Sequence, residues 1–172
     1  MEILKRYILP FKGLKIGVHQ VEYDVDDALF QAFESEEVKH GEAKVLVEVT
    51  KAASMLTLDV QIRGEVTVEC DRCLDDCILP IDFEDQIHVK FSEDEIDFDG
   101  EVLWLNPSEG EIELGRYIYD SILLSLPYSR VHAEGDCNPD MLARFTTVSE
   151  EEFEQMAEEA ERDELFSKHL AQ

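Results

Sequence analysis

Leu56-Thr57-Leu58-Asp59-Val60-Gln61-Ile62-Arg63-Gly64-Glu65-Val66-Thr67-Val68-Glu69-Cys70 is the stretch that decides the fold. Leu56, Leu58, Val60, Ile62, Val66, Val68 and Cys70 fall on one face, and Thr57, Asp59, Gln61, Arg63, Glu65, Thr67 and Glu69 fall on the other. A strict period of two marks a strand with one buried face. Only Gly64 interrupts the apolar row, and a lone glycine in a strand commonly marks a bulge or bend, so one long, curved strand is expected. Cys77, Leu79, Ile81, Phe83, Ile87, Val89 and Phe91 repeat the pattern, with Asp85 as the one polar break. The two strands predict an antiparallel hairpin whose tip is Asp71 to Asp76.

Working outward, Ala43, Val45, Val47 and Val49 alternate with Lys44, Leu46, Glu48 and Thr50 as a further strand. Ile16 to Tyr23 alternates more loosely, after a short extended start. Asp24 or Asp26 caps a small helix over Ala28, Leu29, Ala32 and Phe33, and Glu34 to Gly41 reads as a polar loop. Downstream, Ser92 to Gly100 is an acidic loop and Val102 to Leu105, holding Trp104, a short strand. From Glu111 the period changes: Leu114, Ile118 and Ile122 form one helical row, and Tyr119, Leu123 and Leu126 another. That helix ends at Pro127 and is expected to cover the sheet. After a loop from Tyr128 to Phe145, Ser149-x-x-Glu152 is a capping box opening a last, acidic helix. The reading is an α+β fold, a curved antiparallel sheet of about four to six strands covered by one main helix. Residues 1–146 form that domain and residues 147–172 an acidic helical extension.

The chain of 172 residues carries 15 Lys and Arg against 41 Asp and Glu, a net charge of −26. Such a surplus repels bare phosphate backbones and favours basic partners, although acidity for solubility alone is the duller account. Met1 to Ile16 mixes Lys5, Arg6, Lys12 and Lys15 into its apolar residues, without the continuous apolar core of a signal peptide. No window has the length of a membrane span. The chain is therefore expected in the cytoplasm, where thiols stay reduced and a metal or buried free thiols are favoured over disulfides.

Cys70-x2-Cys73 has the spacing that lets two sulfurs converge on one ion, and Cys137 follows in a Gly-Asp-Cys-Asn-Pro turn. Structural zinc takes four ligands, so Cys70, Cys73 and Cys137 need a fourth, for which His132 and Cys77 compete. The site requires the hairpin tip to meet the loop after the long helix. The opposing reading is that Cys70 and Cys77, on the core-facing side, are small apolar fillers. A redox-active pair is disfavoured, because such thiols normally sit at a helix N-terminus.

No phosphate loop, nucleophile elbow or other catalytic constellation is present, and no enzymatic activity is expected. Carboxylates are so abundant that paired acids carry no signal. Lys5, Arg6, Lys12 and Lys15, interleaved with Tyr7 and Phe11, form the one basic and aromatic segment suited to RNA, and Arg72 between the thiols is a further binding candidate. The plainer reading of the N-terminal segment is a polar sheet edge.

Val68-Glu69-Cys70-Asp71-Arg72-Cys73-Leu74, the helix from Ile112 to Leu126 ending in Leu126-Pro127, and Val131-His132-Ala133-Glu134-Gly135-Asp136-Cys137 closely resemble the bacterial YceD family of large-subunit ribosomal RNA accumulation proteins. The resemblance spans roughly residues 40 to 142 and leaves the acidic C-terminal extension outside it. It implies a non-enzymatic role in the accumulation of 23S ribosomal RNA, linked to large-subunit proteins. Many members carry a second cysteine pair in the late loop, where this chain has His132 and Cys137. With so acidic a surface, the partner expected is a basic ribosomal protein or a protein–RNA precursor of the large subunit, and direct contact with bare RNA is disfavoured. The rival expectation is a zinc-stabilised interaction module unconnected with ribosomes.

Overall fold

The computed structural model describes residues 2–92, 102–106, 108–144, 153 and 155. They divide into two compact units, Met1–Cys137 and Asn138–Gln172. The first is α+β. A 3-10 turn, Ile3–Tyr7, leads into the short strand β1, Ile8–Pro10, in place of the simple extended start. Then come β2 (Gly17–Val25), helix α1 (Asp27–Ala32), β3 (Val38–Lys51), β4 (Met55–Glu69), β5 (Asp76–Phe91), β6 (Val102–Leu105), β7 (Glu111–Glu113) and helix α2 (Gly115–Ser125).

Five strands form one sheet in the order β2-β3-β4-β5-β6, and β1 pairs with β7 in a second, two-stranded sheet. The period-two segments all become strands because their apolar rows are buried on one side: Val45, Val47, Val49, Leu56, Leu58, Val60, Ile62, Val66 and Val68 are each 3% exposed or less. Over them lie Tyr7, Leu9, Leu29, Ile118 and Ile122, all fully buried, each aliphatic one contributing roughly 1.5–3 kcal/mol by leaving water. Asp85, the polar break in β5, accepts a 2.7 Å hydrogen bond from the Tyr117 hydroxyl of α2. Burial and that carboxylate together push the Tyr117 hydroxyl above its ordinary pKa.

Several expectations are corrected. The polar loop at Glu34–Gly41 is shorter, because β3 starts at Val38 and Val38 is buried. Gly64 marks no bulge: its register runs unbroken, facing Ala43 on one side and Ile81 on the other. The glycine is needed because a Cβ there would lie 2.1 Å from the Glu42 carbonyl oxygen. The irregularity in pairing lies instead between Val38 and His40. The sheet is not wholly antiparallel, since β6 runs parallel to β5, with His88 opposite Val102 and Phe91 opposite Leu105. The long helix starts after Leu114, because Glu111–Glu113 pairs with β1 instead of joining the helix. Asp26, not Asp24, caps α1, its side chain accepting from the Ala28 amide.

In the second unit, Asn138 caps a short helix, α3 (Pro139–Leu142), accepting from the Asp140 and Met141 amides. Phe153 and Gln155 are helical and exposed. The remainder of the expected acidic helix, and the acidic loop beyond Ser92, lie outside the described residues. Among the described residues no helix is long and apolar enough to cross a membrane.

Candidate metal centre

The β4–β5 hairpin holds its register to the last residue pair, Glu69 opposite Asp76, and then turns over six residues. The Cys70 amide donates to the Asp75 carbonyl and the Leu74 amide to the Cys70 carbonyl, both at 2.9 Å, closing a tight knuckle. Leu74 sits at φ 65°, in the left-handed region that a non-glycine residue rarely enters. This turn brings the Cys70 and Cys73 side chains to the same side, and both are fully buried.

The loop after α2 is laced to the knuckle. The Asp71 amide donates to the Arg130 carbonyl at 2.8 Å, and the Arg130 amide donates to the Asp71 carboxylate at 2.7 Å. The Arg130 guanidinium reaches Glu37 at 2.5 Å. Two residues on, the His132 ring arrives beside the thiols, and Cys137 closes the group from the end of the loop.

The donor atoms of Cys70, Cys73, His132 and Cys137 all lie within 4.8 Å of one another. Cys70 Sγ is 3.9 Å from Cys137 Sγ, and His132 Nδ1 is 3.5 Å from Cys73 Sγ and 3.8 Å from Cys137 Sγ. A tetrahedral ion with Zn–S near 2.3 Å and Zn–N near 2.05 Å has sulfur–sulfur edges of about 3.8 Å and sulfur–nitrogen edges of about 3.6 Å. Those three edges match these values closely, and a three-thiol, one-imidazole set is one that structural zinc accepts.

The ring of His132 is oriented for this work. Its Nε2 lies 3.0 Å from the Asp76 carbonyl oxygen, which can only accept, so Nε2 carries a proton and Nδ1 is the nitrogen that faces the sulfurs. Electrostatics favour one thiolate without a metal. Burial alone raises the Cys70 thiol, but the backbone N–H groups of Cys73, His132 and Arg72 converge on its sulfur and bring it down to about 6. Cys137 is driven the other way, to about 11, by burial and by its hydrogen bond to Cys70. Cys137 therefore gives up its proton readily only when a cation takes the sulfur in its place.

Of the two candidates for fourth ligand, the geometry brings in His132 and leaves Cys77 out. Cys77 points into the core opposite Val68, and burial raises its thiol above the ordinary value. Arg72 is exposed at the turn, contributing its backbone N–H to Cys70. The N-terminal cations stand apart from this cluster. Lys5, Arg6, Lys12 and Lys15 are exposed, Arg6 pairing with Asp26 at 3.2 Å and Lys12 reaching the Ser108 carbonyl at 3.5 Å. Tyr7 and Phe11 are core residues, packing near Tyr23 and Phe91, so neither ring is available for base stacking. Sequence reasoning missed Asp71, Arg130 and the Asp76 carbonyl, which join the two loops. Asp71, a turn-favouring residue inside the Cys-x2-Cys, was the one visible signal.

A search of curated proteins returned no match, and neither did a search of solved structures. One family does match, described as large ribosomal RNA subunit accumulation protein YceD, over residues 58–171. The match takes in the hairpin from Leu58 onward and all four clustered ligands; it starts later than the expected residue 40 and, beyond the expected limit at residue 142, runs over nearly the whole acidic C-terminal stretch. With well over half of its length so covered, this chain belongs to the YceD family.

Proposed function

We propose that this chain is a non-enzymatic factor in the accumulation of 23S ribosomal RNA, working in the cytoplasm during biogenesis of the large subunit. Zinc held by Cys70, Cys73, His132 and Cys137 serves structure, locking the hairpin knuckle to the late loop. The chain acts by holding a basic ribosomal protein, or the protein–RNA precursor that contains one. Family membership supports the ribosomal part of this reading. The observation that carries the choice of partner is the net charge of −26, because contact with naked RNA needs arrays of Lys and Arg that this chain lacks.

The test is direct binding of the zinc-loaded chain to purified basic large-subunit proteins across a salt series. Affinity is expected to fall steeply as salt rises, while bare 23S RNA stays unbound at the same ionic strengths. Tight binding of bare RNA with no protein present overturns the reading. The Cys/His cluster also suits a zinc-stabilised interaction module with no ribosomal role. Loss of fold on chelation, without co-sedimentation with ribosomal particles, decides for that alternative.

A further inference from the structure

Beside the knuckle lies a cleft of about 420 Å³, lined by Glu36, Glu37, Lys39, Glu69, Asp71, Leu74 and Arg130. Its cations are already engaged: Arg130 with Glu37, and Lys39 with Glu69 at 3.6 Å and Asp76 at 2.7 Å. The four carboxylates that line it therefore leave a surplus of negative charge. At its lip stands Leu74, 54% exposed, and on the outer face of β5 stands Ile78, 62% exposed. Leu74 is the telling residue. A glycine would hold its left-handed φ without steric cost, yet this position carries a bulky apolar side chain and presents it to water. The knuckle bonds from Cys70 to Asp75 and Leu74, together with the Asp71–Arg130 pair, fix the backbone that presents that side chain before any partner arrives.

The geometry points to this cleft as the docking site for an extended Lys- and Arg-rich segment of a partner protein, whose cationic groups meet the carboxylates while an apolar side chain packs on Leu74. Charge complementarity selects the occupant: the protein is acidic throughout, the cleft is acidic locally, and a basic side chain adds a long aliphatic stem that suits an apolar lip. Apolar contact supplies what diffuse charge does not, a defined register. The inference rests on the reading that the partner is a basic protein, and it places that contact at the knuckle rather than over the whole surface.

The experiment uses the full zinc-loaded chain, with Leu and Ile methyl groups isotopically labelled, titrated with a short synthetic peptide rich in Arg, Lys and Leu. The Leu74 methyl signals are expected to shift and saturate, while those of Leu124 and Leu142, also exposed, stay in place. Leu74→Gly, which relieves the backbone, is expected to keep zinc content and melting temperature and to weaken peptide binding at least tenfold. Small shifts spread over the surface, tracking ionic strength alone, overturn the proposal, as does equal binding by Leu74→Gly or saturation of the same methyls by single-stranded RNA. The two readings separate cleanly. If a basic ribosomal protein binds wild type and Leu74→Gly alike, the cleft is wrong and the ribosomal reading stands; if the peptide docks at Leu74 but no ribosomal protein binds, the reverse holds.

Discussion

At Cys73 and Cys77 the same side chain, buried to the same degree, has opposite duties four residues apart. Cys73 faces the Cys/His cluster and Cys77 the core, so their substitutions are expected to diverge. Cys73→Ser should lose stoichiometric zinc, measured by elemental analysis, and lower unfolding free energy on the order of 4 kcal/mol, because a structural metal is folding energy. Cys77→Ala should keep its zinc and cost about 1–2 kcal/mol as a small cavity. The reverse pattern would return the cluster to packing. Zinc added to the metal-free protein should also release protons, measured with a pH dye, since the thiol of Cys137 is held near 11 until a cation takes the sulfur. Cys70, Cys73 and Cys137 are legible from the sequence as one group because cysteine is rare in this chain and the first two have the Cys-x2-Cys spacing. The choice of His132 over Cys77 was not. It depends on the late loop bringing the His132 ring to the knuckle and on a carbonyl, at Asp76, that no side-chain pattern records.

The hairpin at the level of elements needed only alternation, and alternation was plain from Leu56 to Phe91. Gly64 shows where the pattern misleads, because a missing side chain looks the same whether the backbone bulges or another backbone crowds it. Gly64→Ala drives a methyl into the Glu42 carbonyl and is expected to cost about 1–3 kcal/mol in denaturant melts, whereas a bulge would tolerate the change. The start of α2 was illegible for a different reason. Ile112 and Leu114 satisfy a strand by their spacing of two, and Leu114 with Ile118 satisfies a helix by its spacing of four, so only pairing with β1 settles Glu111–Glu113 as strand. The parallel direction of β6 is not encoded in its four residues at all. Asp27, at the start of α1, accepts from the His40 ring at 3.0 Å and from the Gly41 amide at 2.9 Å, tying α1 to β3. These bonds, the His40 one foremost, hold its carboxyl below the usual range. A depressed folded pKa gives stability that is present above the unfolded value, near 3.9, and lost as pH falls through the folded one. Asp27→Asn should therefore be less stable than wild type near neutrality, with the gap closing on acidification; a gap independent of pH would remove the ionised carboxylate from the account.

For the whole molecule, the surplus of 26 negative charges pushes the chain against itself. Added salt screens that repulsion, so melting temperature should rise between low and moderate ionic strength, as followed by circular dichroism. A fall would mean that ion pairs such as Arg63 with Asp82 and Glu84 outweigh the repulsion. The same salt that steadies the fold should loosen its grip on a basic partner, which gives the two effects opposite signs in one titration. The sequence spacing of the clustered ligands has a further consequence, in time rather than space. Cys73 and His132 are 59 residues apart, with β5, β6, β7 and α2 between them. A chain emerging from its own synthesis offers Cys70 and Cys73 early and must wait for the rest. Until Cys137 is made and α2 has delivered the late loop, an ion finds two thiols and no cage. A firmly held ion is thus a mark of completion: it certifies that the polypeptide has been made through residue 137 and folded back upon its own hairpin.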